Sequence, residues 1–138
     1  MTIQDPIAAL IAFLEADAPI VALVGTRIYG AESRVTEADN QPRYMLVVRT
    51  TGGIAQGYVD MMVPRVDFEC YGATPLQAFT LYLALHEALK NLSRDVHNST
   101  LLHLANQTAG PAQTRDEDTH WPLVWSSWNV WVGEASAT

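Results

Sequence analysis

Asp116, Asp118 and His120, in the stretch "QTRDEDTHWPLVWSSWNVWVG" (113–133), are the residues whose types and spacing come nearest to chemistry. Carboxylates and imidazoles ligate divalent metals through oxygen and nitrogen, and alternation along an extended chain puts these three on one side. A small metal-dependent enzyme could be built on such a triad. Three ligands so close in sequence also arise readily by chance, and no second cluster supplies the rest of a coordination shell. His86 and His97 lie eleven positions apart, without a zinc-like partner spacing. The simpler expectation is a solvated loop leading into a strand at Trp121.

Other candidates carry less. Asp67 and Glu69 share one face of "RVDFECYG", where a polar outer face of a strand accounts for both. Cys70, the single cysteine, alternates with them and reads as a small buried hydrophobe, with no histidine at a spacing that would make it a nucleophile. "TTGGIAQG" is glycine-rich but has no lysine to meet a phosphate. There is no G-x-S-x-G elbow and no dinucleotide fingerprint. The expectation is a protein that is not an enzyme and takes no cofactor.

The elements that would position these residues follow from periodicity. Asp5 and Pro6 form a helix start, a capping acid followed by proline at the first helical position. Ile7, Leu10, Ile11 and Leu14 then recur at helical spacing. "DAPIVALVG" gives a short second helix closed at Gly25, and "TRIYG" a short strand. Residues 31–42 are polar and periodless, a loop with acids at Glu32, Glu37 and Asp39. "RYMLVVRTT" and "VPRVDFECYG" read as two strands joined by a long glycine-bearing connection, a hairpin with a protruding tip. Thr74, Pro75 and Gln77 form a helix start with capping-box spacing, and the helix runs through 75–92. "STLLHLANQTAG" reads as a strand, "PAQTRDED" as a loop, and "WPLVWSSWNVWVG" as the last strand, before a frayed tail at 134–138. This order predicts one α+β domain over residues 1–138. Its sheet is mainly antiparallel, of about four to five strands, with an N-terminal helix and one long central helix packed on it.

Composition narrows the partners. At 138 residues, with 49% hydrophobic and 17% charged residues, the chain can bury a core without staples. No apolar run reaches the roughly 20 residues a membrane helix needs, so no membrane partner is expected. Net charge is −7, with one lysine, Lys90, and no basic run. That argues against gripping nucleic acid, which requires clustered cations on phosphates. The central helix is apolar nearly all round, with Ala78, Leu81, Leu85, Ala88, Leu89 and Leu92 on one face. Phe79, Tyr82, Leu83 and His86 flank it. Such a helix should be covered on two sides, one by the sheet and the other by a neighbouring subunit. Trp121, Trp125 and Trp131 share one parity in the last strand and Trp128 the other, so large apolar groups sit on both faces.

Taken in order, "PIAALIAFLEADAPIVALVGTRIYG", "PRVDFECYGAT" running into "PLQAFTLYLALHEAL", and "GPAQTRDEDTHWPLVWSSWNVWV" resemble the tail terminator (tail completion) proteins of long-tailed bacteriophages. The resemblance spans nearly the whole chain and rests on order and spacing. It implies a structural virion protein of the tail or neck, put together in the host cytoplasm. The subunit would assemble with itself as a ring, typically a hexamer, that caps the tail tube and ends its polymerisation. It would contact the major tail tube protein and a head-completion or connector protein. Viral DNA would pass through the centre without specific binding. Another neck or head–tail connector protein is the alternative in the same setting.

The family offers no motif of functional residues to carry across, so contact surfaces are inferred from this chain. Phe79, Tyr82, Leu83 and Trp128 are the expected subunit interface. Gly52, Gly53, Ile54, Gln56 and Tyr58 form the expected contact loop for the tail tube. Asp116, Glu117 and Asp118 are the expected lumen-facing acids, where negative charge would repel passing phosphates.

Overall fold

The computed structural model describes residues 6–25, 27–30, 43–55, 61–97, 100–116 and 120–134. Their elements, in chain order, are α1 (Pro6–Glu15), α2 (Ala18–Val24), β1 (Ile28–Tyr29), β2 (Met45–Ala55), β3 (Met61–Tyr71), α3 (Pro75–Lys90), β4 (Asp95–His97), β5 (Thr100–Arg115) and β6 (Pro122–Glu134). The strands form one six-stranded sheet in the order β1-β2-β3-β6-β5-β4. β1 pairs with β2 in parallel, and every other pairing is antiparallel. The α+β class matches the sequence expectation, with more strands and one parallel pair. β1 and β4, two and three residues long, are too short to show a period of their own.

Local chemistry sets the helix ends. Asp17 caps α2, its carboxylate accepting from the Ile20 N–H at 3.3 Å. α2 closes at Gly25, whose φ of 61° is a left-handed value that glycine adopts without a Cβ penalty. Its N–H reaches the Val21 carbonyl at 2.8 Å. Thr74 Oγ1 accepts from the Gln77 N–H at 3.2 Å, and Gln77 Oε1 accepts from the Ala73 N–H at 3.0 Å. This is a capping box displaced by one residue on its return bond. α3 ends at Lys90, two residues before the expected limit.

All three helices lie on one face of the sheet. There Leu10, Leu14, Ile20, Leu81, Leu85 and Leu89 meet Leu46, Val48, Val66, Phe68, Val124 and Val130 in the main core. Burying each such side chain stabilises the fold by about 1.5–3 kcal/mol. Cys70 is fully buried here, as the alternation of β3 requires. The opposite face carries a smaller cluster at one end: Met45, Val47, Tyr71, Trp121 and Leu123. α1 and α2 bend by 88° at their junction, and no single helix among the described residues is long and apolar enough to cross a membrane.

Three sequence expectations need correction. "PAQTR" is not a loop: β5 continues to Arg115, in register with β6 from Thr100↔Glu134 to Arg115↔Pro122. The ladder to β6 overrides the turn chemistry of Gly110 and Pro111. The strand absorbs the pair, which is joined by a cis peptide, through register shifts between Gln107 and Ala109 and between Ala109 and Ala112. Gly52, Gly53 and Ile54 are not in the hairpin tip but within β2, where a register shift between Thr50 and Gly53 accommodates them. The connection to β3 is thereby shortened to residues 56–60. Finally, part of the α3 flank expected to meet a neighbouring subunit is covered within the chain: Tyr82 is buried, and its hydroxyl donates to Gln107 Oε1 on β5.

Candidate functional site

Asp116 and His120 sit where β5 gives way to β6. The Asp116 N–H donates to the Trp121 carbonyl and the His120 N–H to the Asp116 carbonyl, both at 2.9 Å. Arg115 Nη1 donates to the His120 carbonyl at 3.0 Å. His120 itself has a φ of 62°, a left-handed value suited to a tight reversal. Backbone bonds therefore hold Asp116 and His120 in place. The Asp116 carboxylate turns back to the sheet, where Oδ2 accepts from the Tyr71 hydroxyl at 2.9 Å. Among the described residues no three His, Cys, Asp or Glu side chains gather as a metal would require. Asp118 and Glu117 lie outside the described residues.

Tyr71 belongs to a polar strip along the open face. Glu69 pairs with Arg49 across the β2–β3 ladder. Arg65 Nε donates to Ser127 Oγ at 2.8 Å. Burial holds the Glu69 carboxyl above its ordinary value of 4.5, against the pull of Arg49 and with help from Asp116 and Asp67. Burial likewise pushes the Tyr71 phenol up, with Glu69 and Asp116 adding to it. The Cys70 thiol is pushed up by burial and by neighbouring Glu69, which keeps it un-ionised. Each carboxylate in the strip thus has a structural partner, and the arrangement is that of a sheet face fixed in place.

The four residues expected at the subunit interface separate. Trp128 is 3% exposed and Tyr82 4%, both in the main core, so neither can offer surface to a neighbour. The physical reason is an aromatic run that crosses from α3 to the sheet. Phe79, Tyr82, His86 and Trp128 follow one another at ring distances of 5.5, 6.0 and 5.6 Å. Tyr82 donates to Gln107 Oε1 at 3.0 Å, and Trp128 Nε1 to Ser126 Oγ at 3.1 Å. Phe79 is half-buried against this core. Leu83 is 54% exposed and Leu76 77%, on an outer strip of α3 that also carries Thr80, Glu87 and Lys90.

Of the expected tube-contact residues, Gln56 and Tyr58 lie outside the described residues, and Gly52, Gly53 and Ile54 form the end of β2. The acids of the 31–42 stretch also lie outside them. Two features escaped sequence reasoning. One is an open groove of about 260 Å³ between the α1–α2 junction and α3, lined by Phe13, Pro19, Ala84 and Ala88 with Asp17 and Glu87 at its rim. The other is the length of β5, which extends far beyond the short β4 beside it. No local sequence signal marks the groove, which exists only once α2 meets α3.

Helices on one face of a six-stranded, almost wholly antiparallel sheet define a small α+β domain. A solved chain with the same fold comes from a structure described as "Virion of native gene transfer agent (GTA) particle". The two superpose with a TM-score of 0.65 at 19% identity, covering 91% of this chain and 92% of that one. No family model and no curated protein matches the chain.

Proposed function

We propose that the chain is a structural subunit of a phage-like virion, a tail terminator that forms a ring on the last layer of the tail tube. The observation that carries this reading is the end-to-end correspondence of fold with a chain of a gene transfer agent virion, with almost nothing left over in either chain. The order of sequence segments shared with tail terminators points the same way. A subunit of this kind needs apolar and backbone surfaces left unsatisfied in the single chain, and Leu76, Leu83 and Leu104 are exposed here. The ring ends tube growth, meets the head's connector on its other side and leaves a central passage for DNA.

The test is tube assembly from purified tail tube protein with and without this chain. A terminator yields tubes that stop growing and carry a ring-sized cap in electron micrographs, with light scattering giving the mass of any free ring. Tubes that grow identically in its presence would refute the role. Binding to heads without any effect on tubes would assign the chain to another neck or connector layer. A persistent monomer that holds zinc or manganese would return the Asp116, Asp118 and His120 reading.

A further inference from the structure

The sheet is left open at two places that complement each other. β4 covers only Thr100–Leu102 of β5, and the Arg94 N–H adds one bond to the His103 carbonyl at 3.0 Å. From Leu104 to Arg115 the outer edge of β5 has no strand beside it among the described residues. At the other margin β1 covers only Leu46 and Val47 of β2, leaving Val48–Ala55 without a strand on that side among the described residues. The register sets these gaps diagonally. The open part of β5 lies at the end of the sheet where Arg115 meets Pro122 and Leu123 meets Tyr71. The open part of β2 lies at the opposite end, where Ala55 meets Met62. Successive antiparallel pairings from β2 through β3 and β6 make β5 run opposite to β2.

An open strand edge is a template for adding another strand, and edges that must stay single are usually guarded by charge. These carry little: Leu104–Arg115 has Arg115 alone, Val48–Ala55 has Arg49 alone, and neither has an acid, in a chain whose net charge is −7. Copies of so acidic a chain repel one another, and two edges without an acid are where that repulsion is least. The edges are guarded in another way, by irregularity. Pro111 lacks an N–H, and register shifts divide β5 into Leu104–Gln107 and Ala112–Arg115. A partner must match those breaks, which limits pairing to few registers. Leu104, 41% exposed and in register with Trp131, supplies apolar surface at the start of the edge.

We propose that the open edge of β5 pairs antiparallel with the open edge of β2 from a second copy of this chain. Two different edges of one subunit meet, so the contact is head-to-tail and propagates from copy to copy. The diagonal offset staggers each sheet against the next, which tilts the strands as closure of a sheet into a barrel-like ring requires. This rests on the ring reading above and adds which surfaces form its seam.

Amide hydrogen exchange read by mass spectrometry on the full chain, as monomer and in the ring it forms alone or on the tail tube, tests the seam. Outward amides of Leu104–Arg115 and of Val48–Ala55 should both slow by at least about tenfold in the ring. A ring in which both edges exchange as in the monomer overturns the pairing and leaves the ring reading standing. Protection of one edge alone also overturns it, since a second copy must use both; it would indicate a strand from the tube protein instead. Failure to form a ring under either condition removes the ring reading, and the seam with it.

Discussion

Single residues decide what each surface is for, and Trp128 does so most clearly. It stands on the helix side of β6, closes the aromatic run from α3 and donates to buried Ser126. Trp128→Ala should therefore cost about 3–5 kcal/mol of stability, measured by urea denaturation of the free chain. Loss of assembly with unchanged stability would put Trp128 at an interface after all. Glu69 makes a second prediction. Its folded pKa lies above its unfolded value, so its contribution favours the native state at low pH and is lost as pH rises through the folded value. Relative to the parent, Glu69→Gln should gain stability as pH rises from about 4.5 through the raised folded value. A stability difference that stays constant over that range would contradict the buried placement.

At the level of elements, the turn from β3 into α3 is the tightest join. A Cβ on Gly72 would stand 2.5 Å from the Ala78 nitrogen and 2.8 Å from the Gln77 carbonyl carbon, both backbone atoms that cannot swing aside. Gly72→Ala should cost about 1–3 kcal/mol in thermal or urea unfolding, through displacement of the helix start. The outer strip of α3 predicts the reverse. Leu83→Glu should change monomer stability by no more than about 0.5 kcal/mol, yet lower the yield of assembled rings if that strip meets a neighbour. The helices were legible in the sequence because caps and a strong period act locally: Thr74, Pro75 and Gln77 announce α3 without help from the rest of the chain. The end of β5 was not, because Gly110 and Pro111 carry turn chemistry and only pairing with β6 makes the segment a strand. The interface expectation failed at Tyr82 and Trp128 for a related reason. Periodicity shows that a helix flank is apolar, while its cover, here β5 and β6 of the same chain, is a tertiary fact.

For the whole molecule, the proposed ring makes charge a matter of geometry. Asp116 is engaged with Tyr71, so its replacement would disturb the sheet as well as the local potential. The cleaner test uses the two neighbouring acids. Glu117→Lys with Asp118→Lys should slow DNA ejection from assembled particles without preventing ring formation, if that turn faces the passage. Ejection at the parent rate, with rings intact, would place the turn elsewhere. The polar strip of the open face, with Arg49 and Glu69 paired, has no such freedom.

The position of β6 has a consequence for how the chain is made. This strand lies between β3 and β5 and, among the described residues, is the only one that joins the β1-β2-β3 part of the sheet to the β5-β4 part. It is also the last of the described strands in chain order, synthesised after every element it unites. Until then the two parts of the sheet are bridged through the helices, α3 lying on both β3 and β5 and α1 on β2, β4 and β5. A chain stopped before β6 lacks both central ladders and should be much less stable, and more open to proteolysis, than the full chain.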